Sequence, residues 1–83
     1  MQGKQKGFLT LKNWYVKGTE LCGDLKSDKG FVFYCSPIRS IDLTKEFQIL
    51  TKDGIFYLKS KEIEKYYEKS EIVKRLEIIQ NLK

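Results

Sequence analysis

Histidine is absent from this chain, and that absence removes whole classes of chemistry. A Cys–His or Ser–His relay cannot be assembled within one chain, and no spacing marks a Ser–Lys pair. Only two cysteines occur, Cys22 and Cys35, thirteen residues apart. Without histidine they cannot complete a zinc site. The carboxylates Asp42, Glu46, Asp53, Glu62 and Glu64 are scattered through turns and a helix start, as surface acids are in any soluble domain. No catalytic residue, metal centre or cofactor is therefore expected. Long apolar runs are also lacking: the longest, Phe31 to Cys35, is far too short to span a bilayer. The opening "MQGKQKGF" is polar and no apolar h-region follows, so no secretory signal is expected. Two cysteines without such a signal imply reduced thiols in a cytoplasmic protein.

Acidic residues are missing from the first 19 positions, where Lys4, Lys6, Lys12 and Lys17 give +4. Residues 20–60 hold six basic and six acidic groups, and residues 61–83 hold six and five, so this one segment carries most of the net +5. It also contains Trp14 and Tyr15. A basic, aromatic-bearing segment suits phosphate-bearing partners, whether nucleotide, nucleic acid or anionic surface. Lysines of this kind also keep a small protein soluble, and composition does not separate the two roles.

What is present is a strand-rich region followed by a helical tail, dividing near Ser60. "SDKG" (27–30) and "KDGI" (52–55) carry the Asp and Gly of hairpin turns; "LTKE" (43–46) is a weaker turn. Asp53-Gly54 is expected to form a two-residue type I′ turn, setting Leu50 against Tyr57, Ile49 against Leu58 and Thr51 against Phe56. Pairing Ser27 with Gly30 sets Cys22 opposite Cys35, and Tyr34 opposite Gly23, where a ring covers a position without a side chain. The sole proline, Pro37, belongs at an edge or bend, so "SPIRSID" reads as a strand turning a corner between hairpins. "GFLTLKNWYVKG" gives one long bent strand or two short ones.

In the tail, Ile63, Tyr66, Tyr67, Val73, Leu76, Ile79 and Leu82 recur at helical spacing, with Ser60 able to cap the start. One helix with a kink near Ser70-Glu71 and two short helices both fit. The last hairpin is apolar on both faces, which calls for cover by the helix or by a partner. The expected fold is α+β: a strongly curved antiparallel sheet or small β-barrel of five to six strands (1–59), then a C-terminal helix (60–83), in a single domain over 1–83. A chain this short buries only roughly 60–65% of its unfolded surface, so a homo-oligomer is expected.

The order "NWYVKGTELCG", "KGFVFYCSPIRSID", "ILTKDGIFYL" resembles a set of short bacterial and prophage reading frames. Those share Trp-x-Val-x-Gly, then Gly followed by Thr-Ser-Pro-Ile, then Thr-x-x-Gly-x-x-Tyr-x-Leu. Here the matching positions are Trp14, Val16, Gly18, Gly30, Ser36, Pro37, Ile38, Thr51, Gly54, Tyr57 and Leu58, with Cys35 in place of the threonine. The resemblance covers residues 13–58 and implies a small mobile-element β protein. Together with the missing catalytic groups, it leads to the expectation of a non-enzymatic binder of phage type in a bacterial host cytoplasm. Such a protein acts against host defence by sequestering a nucleotide-type or other phosphorylated signal, or by blocking a defence protein. Trp14, Tyr15 or Tyr57 would stack a base, Lys12, Lys17 or Arg39 would meet phosphate, and Ser36 completes the set. The alternatives are a nucleic-acid-binding β-barrel and a protein-interaction module without a phosphate ligand. No membrane partner is expected.

Overall fold

Two of the hairpin turns close on a glycine whose backbone a side chain would strain. Gly30 (φ 116°) ends the turn between β2 (Glu20–Ser27) and β3 (Gly30–Pro37), and Gly54 (φ 135°) ends the one between β5 (Phe47–Thr51) and β6 (Gly54–Leu58). The computed structural model that shows this describes residues 8–44 and 46–82. Lys4 and Lys6 of the basic segment, and Lys45 of the 43–46 turn, lie outside them.

Asp53 does not take positive φ, so "KDG" is not the expected type I′ turn. Gly54 instead follows the two central residues, Lys52 and Asp53, as glycine does at the last position of a type I turn. The register moves by two: Thr51 pairs with Gly54, Ile49 with Phe56 and Phe47 with Leu58. A shift of two keeps every side chain on its expected face, and Ile49, Thr51, Phe56 and Leu58 all lie buried. The β2–β3 hairpin has the expected register, with Cys22 opposite Cys35 and Gly23 opposite Tyr34.

The six strands do not form one curved sheet or a barrel. They form two separate three-stranded antiparallel sheets: β1 (Lys12–Lys17) with β2 and β3, and β4 (Ser40–Asp42) with β5 and β6. The reason lies at Pro37. Beyond it the Ile38 amide donates to Thr19 O (2.9 Å) and the Arg39 amide to Leu50 O (2.7 Å). The chain thereby steps from the end of one sheet onto the other without β3 and β4 pairing, and closure needs that ladder. "GFLTLKNWYVKG" divides as two short pieces: Leu9 makes a lone parallel bridge to Phe56, and β1 begins at Lys12 with a bulge at Asn13 (φ 50°).

The tail also departs from expectation. A 3-10 turn occupies Ser60–Glu62, and the helix α1 covers only Lys69–Asn81. Glu68 and Glu71 close its start in a reciprocal capping box, which satisfies amides that the first turn leaves open. Its buried stripe is Ile72, Leu76 and Ile79, while Tyr66 and Tyr67 precede the helix and Leu82 is exposed. That stripe joins Leu11, Trp14, Val16, Leu21, Ile38, Phe47, Ile49, Phe56 and Leu58 in one core. No helix is long and apolar enough to cross a membrane among the described residues.

The two sheets are tied through a few specific contacts. Trp14 sets its ring edge-on to Phe47, with centroids 5.0 Å apart, and its Nε1 donates to Lys59 O at 2.9 Å. Tyr34 packs on Phe56 at 5.0 Å and donates its hydroxyl hydrogen to Asp53 Oδ2 at 2.6 Å. Its oxygen is then left to accept from Thr51 Oγ1, 2.8 Å away. Burial, and then the bond to the Asp53 carboxylate, raises the Tyr34 pKa, with the Thr51 contact opposing. Cys22 and Cys35 are bonded to each other as a disulfide, with Cα atoms 4.2 Å apart, rather than standing as two thiols.

Candidate functional site

The seven residues singled out from the sequence fall in different places. Trp14 has no exposed surface. Its indole N–H is already committed to Lys59 and its ring to the core, so no face is left for a ligand. Ser36 is buried on the core side of β3, where its hydroxyl lies close enough to that of Tyr34 to oppose the rise in the Tyr34 pKa but makes no hydrogen bond of ordinary geometry among the described residues. Tyr57 belongs to the second sheet, where its ring meets Phe8 at 5.8 Å. Arg39 lies exposed on the crossing between the sheets. Lys12 is exposed on β1 with its ammonium 5.9 Å from the Phe31 ring.

Tyr15 and Lys17 remain, two positions apart on β1. Tyr15 stacks face to face on Tyr67, with centroids 4.8 Å apart and planes within 4°. Local structure explains why Tyr67 is there. The Glu64 amide donates to Trp14 O (2.9 Å), and Ile63 bridges Trp14, so the segment entering α1 runs along the open edge of β1. The Tyr67 amide then donates back to Glu64 O at 2.9 Å, a turn that brings the ring over Tyr15.

Beside this stack, between β1 and α1, runs a groove of about 460 Å³ lined by Val16, Tyr67, Glu71, Ile72, Lys74, Arg75 and Ile78. Its floor is aliphatic, one wall is an aromatic ring, and its charged groups are two cations and one carboxylate. Glu71 is held on the first helical turn, where its Oε1 accepts the Glu68 amide at 3.4 Å. Lys74 and Arg75 follow one turn later and are exposed. A flat ring lying on apolar side chains with a phosphate reaching the cations is the ligand type this chemistry accommodates.

Sequence reasoning missed Tyr67, Lys74 and Arg75, having read the tail as a covering helix. The available signal was the Tyr66-Tyr67 pair two helical turns ahead of the Lys74-Arg75 pair.

Glu20, Cys22 and Cys35 place potential ligand atoms within 4.8 Å of one another. With the sulfurs bonded together, neither can supply a thiolate, the form that binds metal. Comparison of the chain with protein families, with curated proteins and with solved structures finds no match.

Proposed function

We propose that this is a non-enzymatic binding protein whose β1–α1 groove receives a small phosphorylated ligand with a planar base. The observation that carries the reading is that Tyr67, braced by Tyr15, lines the same groove as Lys74 and Arg75. A braced ring loses little freedom when a base lies against it, and the guanidinium offers paired donors to phosphate oxygens. In the mobile-element setting that the sequence resemblance implies, such a binder works by withdrawing a nucleotide-type signal from a host defence system. Blocking a defence protein directly is the related route.

The test is equilibrium titration with a fluorescent adenine nucleotide, alongside a short single-stranded oligonucleotide. Replacing Lys74 and Arg75 by Glu removes two charge-assisted contacts, each worth about 1.5–3 kcal/mol, and should weaken nucleotide binding about a hundredfold or more. Tyr67→Ala should weaken it further while leaving the fold intact. A small ligand should lose little affinity with added salt. Steep salt dependence with preference for the oligonucleotide would instead identify a nucleic-acid binder. Unchanged nucleotide affinity in the double variant would remove the groove from consideration.

A further inference from the structure

The molecule covers its sheet edges with care at three places. The outer edge of β1 is occupied by the Glu64 amide on Trp14 O. The outer edge of β6 is filled by Leu9, whose N–H reaches Ile55 O at 2.9 Å and whose carbonyl accepts Tyr57 N–H at 2.8 Å. The edge of β4 is three residues long and is met by Gln80 Nε2 on Ile41 O at 3.1 Å. The fourth edge, β3, is eight residues long. Among the described residues no backbone bridge covers it.

That open edge is apolar. Phe31, Val32 and Phe33 are 51%, 50% and 66% exposed, three large side chains in succession on both faces of the strand. Proteins usually guard such a strand with charge or proline, because it is a template for another strand. The only guard here is Pro37, at the far end.

We propose that β3 is the docking surface for a second copy of this chain, paired antiparallel about a two-fold axis. The backbone phase supports this and sets the register. Cys22 and Cys35, with Cα atoms 4.2 Å apart, have the spacing of a non-hydrogen-bonded pair. The N–H and C=O groups of Cys35, and by alternation those of Phe33 and Phe31, therefore point away from β2 to the open side. Setting Phe33 opposite the partner subunit's Phe33 also sets Phe31 opposite the partner subunit's Cys35. All three outward positions are then used, giving about six new backbone hydrogen bonds. Sliding the register by two either way strands one of them.

Charge agrees with that register. The ammonium groups of Lys12 and Lys26 lie 5.9 and 5.6 Å from the Phe31 ring. Glu20 Oε1 lies 3.3 Å from Cys35 Sγ. Placing Phe31 beside the partner subunit's Cys35 brings two cations of each copy toward a carboxylate of the other. The two β3 edges consume each other, and the outer edges of the joined sheet are the covered β1 edges. The assembly closes at two and does not propagate.

Sedimentation and amide exchange across a concentration series test this without knowledge of any ligand. The expected result is a discrete mass of two chains at high concentration. The Phe31, Phe33 and Cys35 amides should then exchange on the order of tenfold or more slowly than in dilute protein, while Val32 and Tyr34 stay protected throughout. Phe33→Pro removes one outward N–H but no β2–β3 ladder bond, and should return the chain to one-subunit mass. Phe33→Lys, which sets like charges opposite each other on the axis, should do the same and guards against a proline that merely disturbs the strand. A single-chain mass at high concentration overturns the proposal. So does a dimer whose Phe31, Phe33 and Cys35 amides remain exchangeable.

Discussion

Replacing Trp14 separates a core residue from a binding residue, and the structure sets the size of the effect. Trp14 is fully enclosed, meets Phe47 edge-on and donates from Nε1 to Lys59 O at 2.9 Å. A chain of 83 residues has a total stability of about 4–12 kcal/mol. Truncating a buried Trp to Ala costs about 3–5 kcal/mol, and the carbonyl left without its donor costs about 1–3 more. Trp14→Ala should therefore be unfolded or nearly so. Trp14→Phe keeps an aromatic ring in place and loses the hydrogen bond with some volume, about 2 kcal/mol in all. For a domain of this size that corresponds to about 8–16 °C in Tm. Far-UV circular dichroism is the right assay, because this is the only tryptophan and its fluorescence disappears with the substitution. Below its melting range, the Phe variant should bind the nucleotide probe as the parent does. A Phe variant that melts with the parent yet no longer binds would refute the placement of Trp14 in the core.

Three further outcomes follow from the packing. Gly23→Ala puts a Cβ 3.0 Å from Trp14 Cα and 3.1 Å from the Leu11 and Trp14 Cβ atoms. Overpacking of about 1–3 kcal/mol outweighs the unfolded-state gain of about 0.4–1 kcal/mol, so its urea midpoint should fall; a rise would contradict the close approach of β1. Ser36→Ala removes a buried hydroxyl that makes no hydrogen bond of ordinary geometry among the described residues, so the same measurement should show little loss of stability. Tyr34 holds its proton more tightly folded than unfolded, so its contribution is complete below the ordinary value of 10.0 and is lost as pH rises through the raised one. Tyr34→Phe should flatten the alkaline decline of the parent's denaturation midpoint; an unaltered decline would mean that Tyr34 does not cause it.

Local pairing was legible in the sequence where a turn admits one geometry, and less so elsewhere. "SDKG" places Ser27 opposite Gly30, and every β2–β3 pair follows from that. "KDG" admits two placements of its glycine, in the turn or just after it, and the choice moves the register by two without moving any side chain to the other face. Division into two sheets turns on hydrogen bonds from Ile38 and Arg39 to residues far along the chain, which no local pattern encodes. Trp14 illustrates the same limit: an indole beside lysines suits a base as well as a core, and only the distant Lys59 carbonyl decides. The shift of the apolar spacing near Ser70-Glu71 marked a break but left one kinked helix and two short ones both open; the capping glutamates that start α1 at Lys69 decide it. Tyr15 was singled out for its ring beside lysines, whereas the groove next to the Tyr15–Tyr67 stack depends on where α1 begins.

The bond between the Trp14 indole and the Lys59 carbonyl spans 45 positions of chain, and protein synthesis turns that span into time. At about 5–20 residues per second, Lys59 follows Trp14 out of the ribosome by about 2–9 s. Hairpins form in about 1–10 μs, so the β1–β2–β3 ladders are complete while their apolar face still looks onto water. Phe47, Phe56, Leu58 and the Ile72–Leu76–Ile79 stripe all arrive afterwards. During that interval the nascent sheet carries an uncovered tryptophan on one face and the open Phe31–Phe33 edge at its side. The newborn chain is at its most adhesive then, and a chaperone that recognises exposed aromatic strands would find its substrate in those seconds.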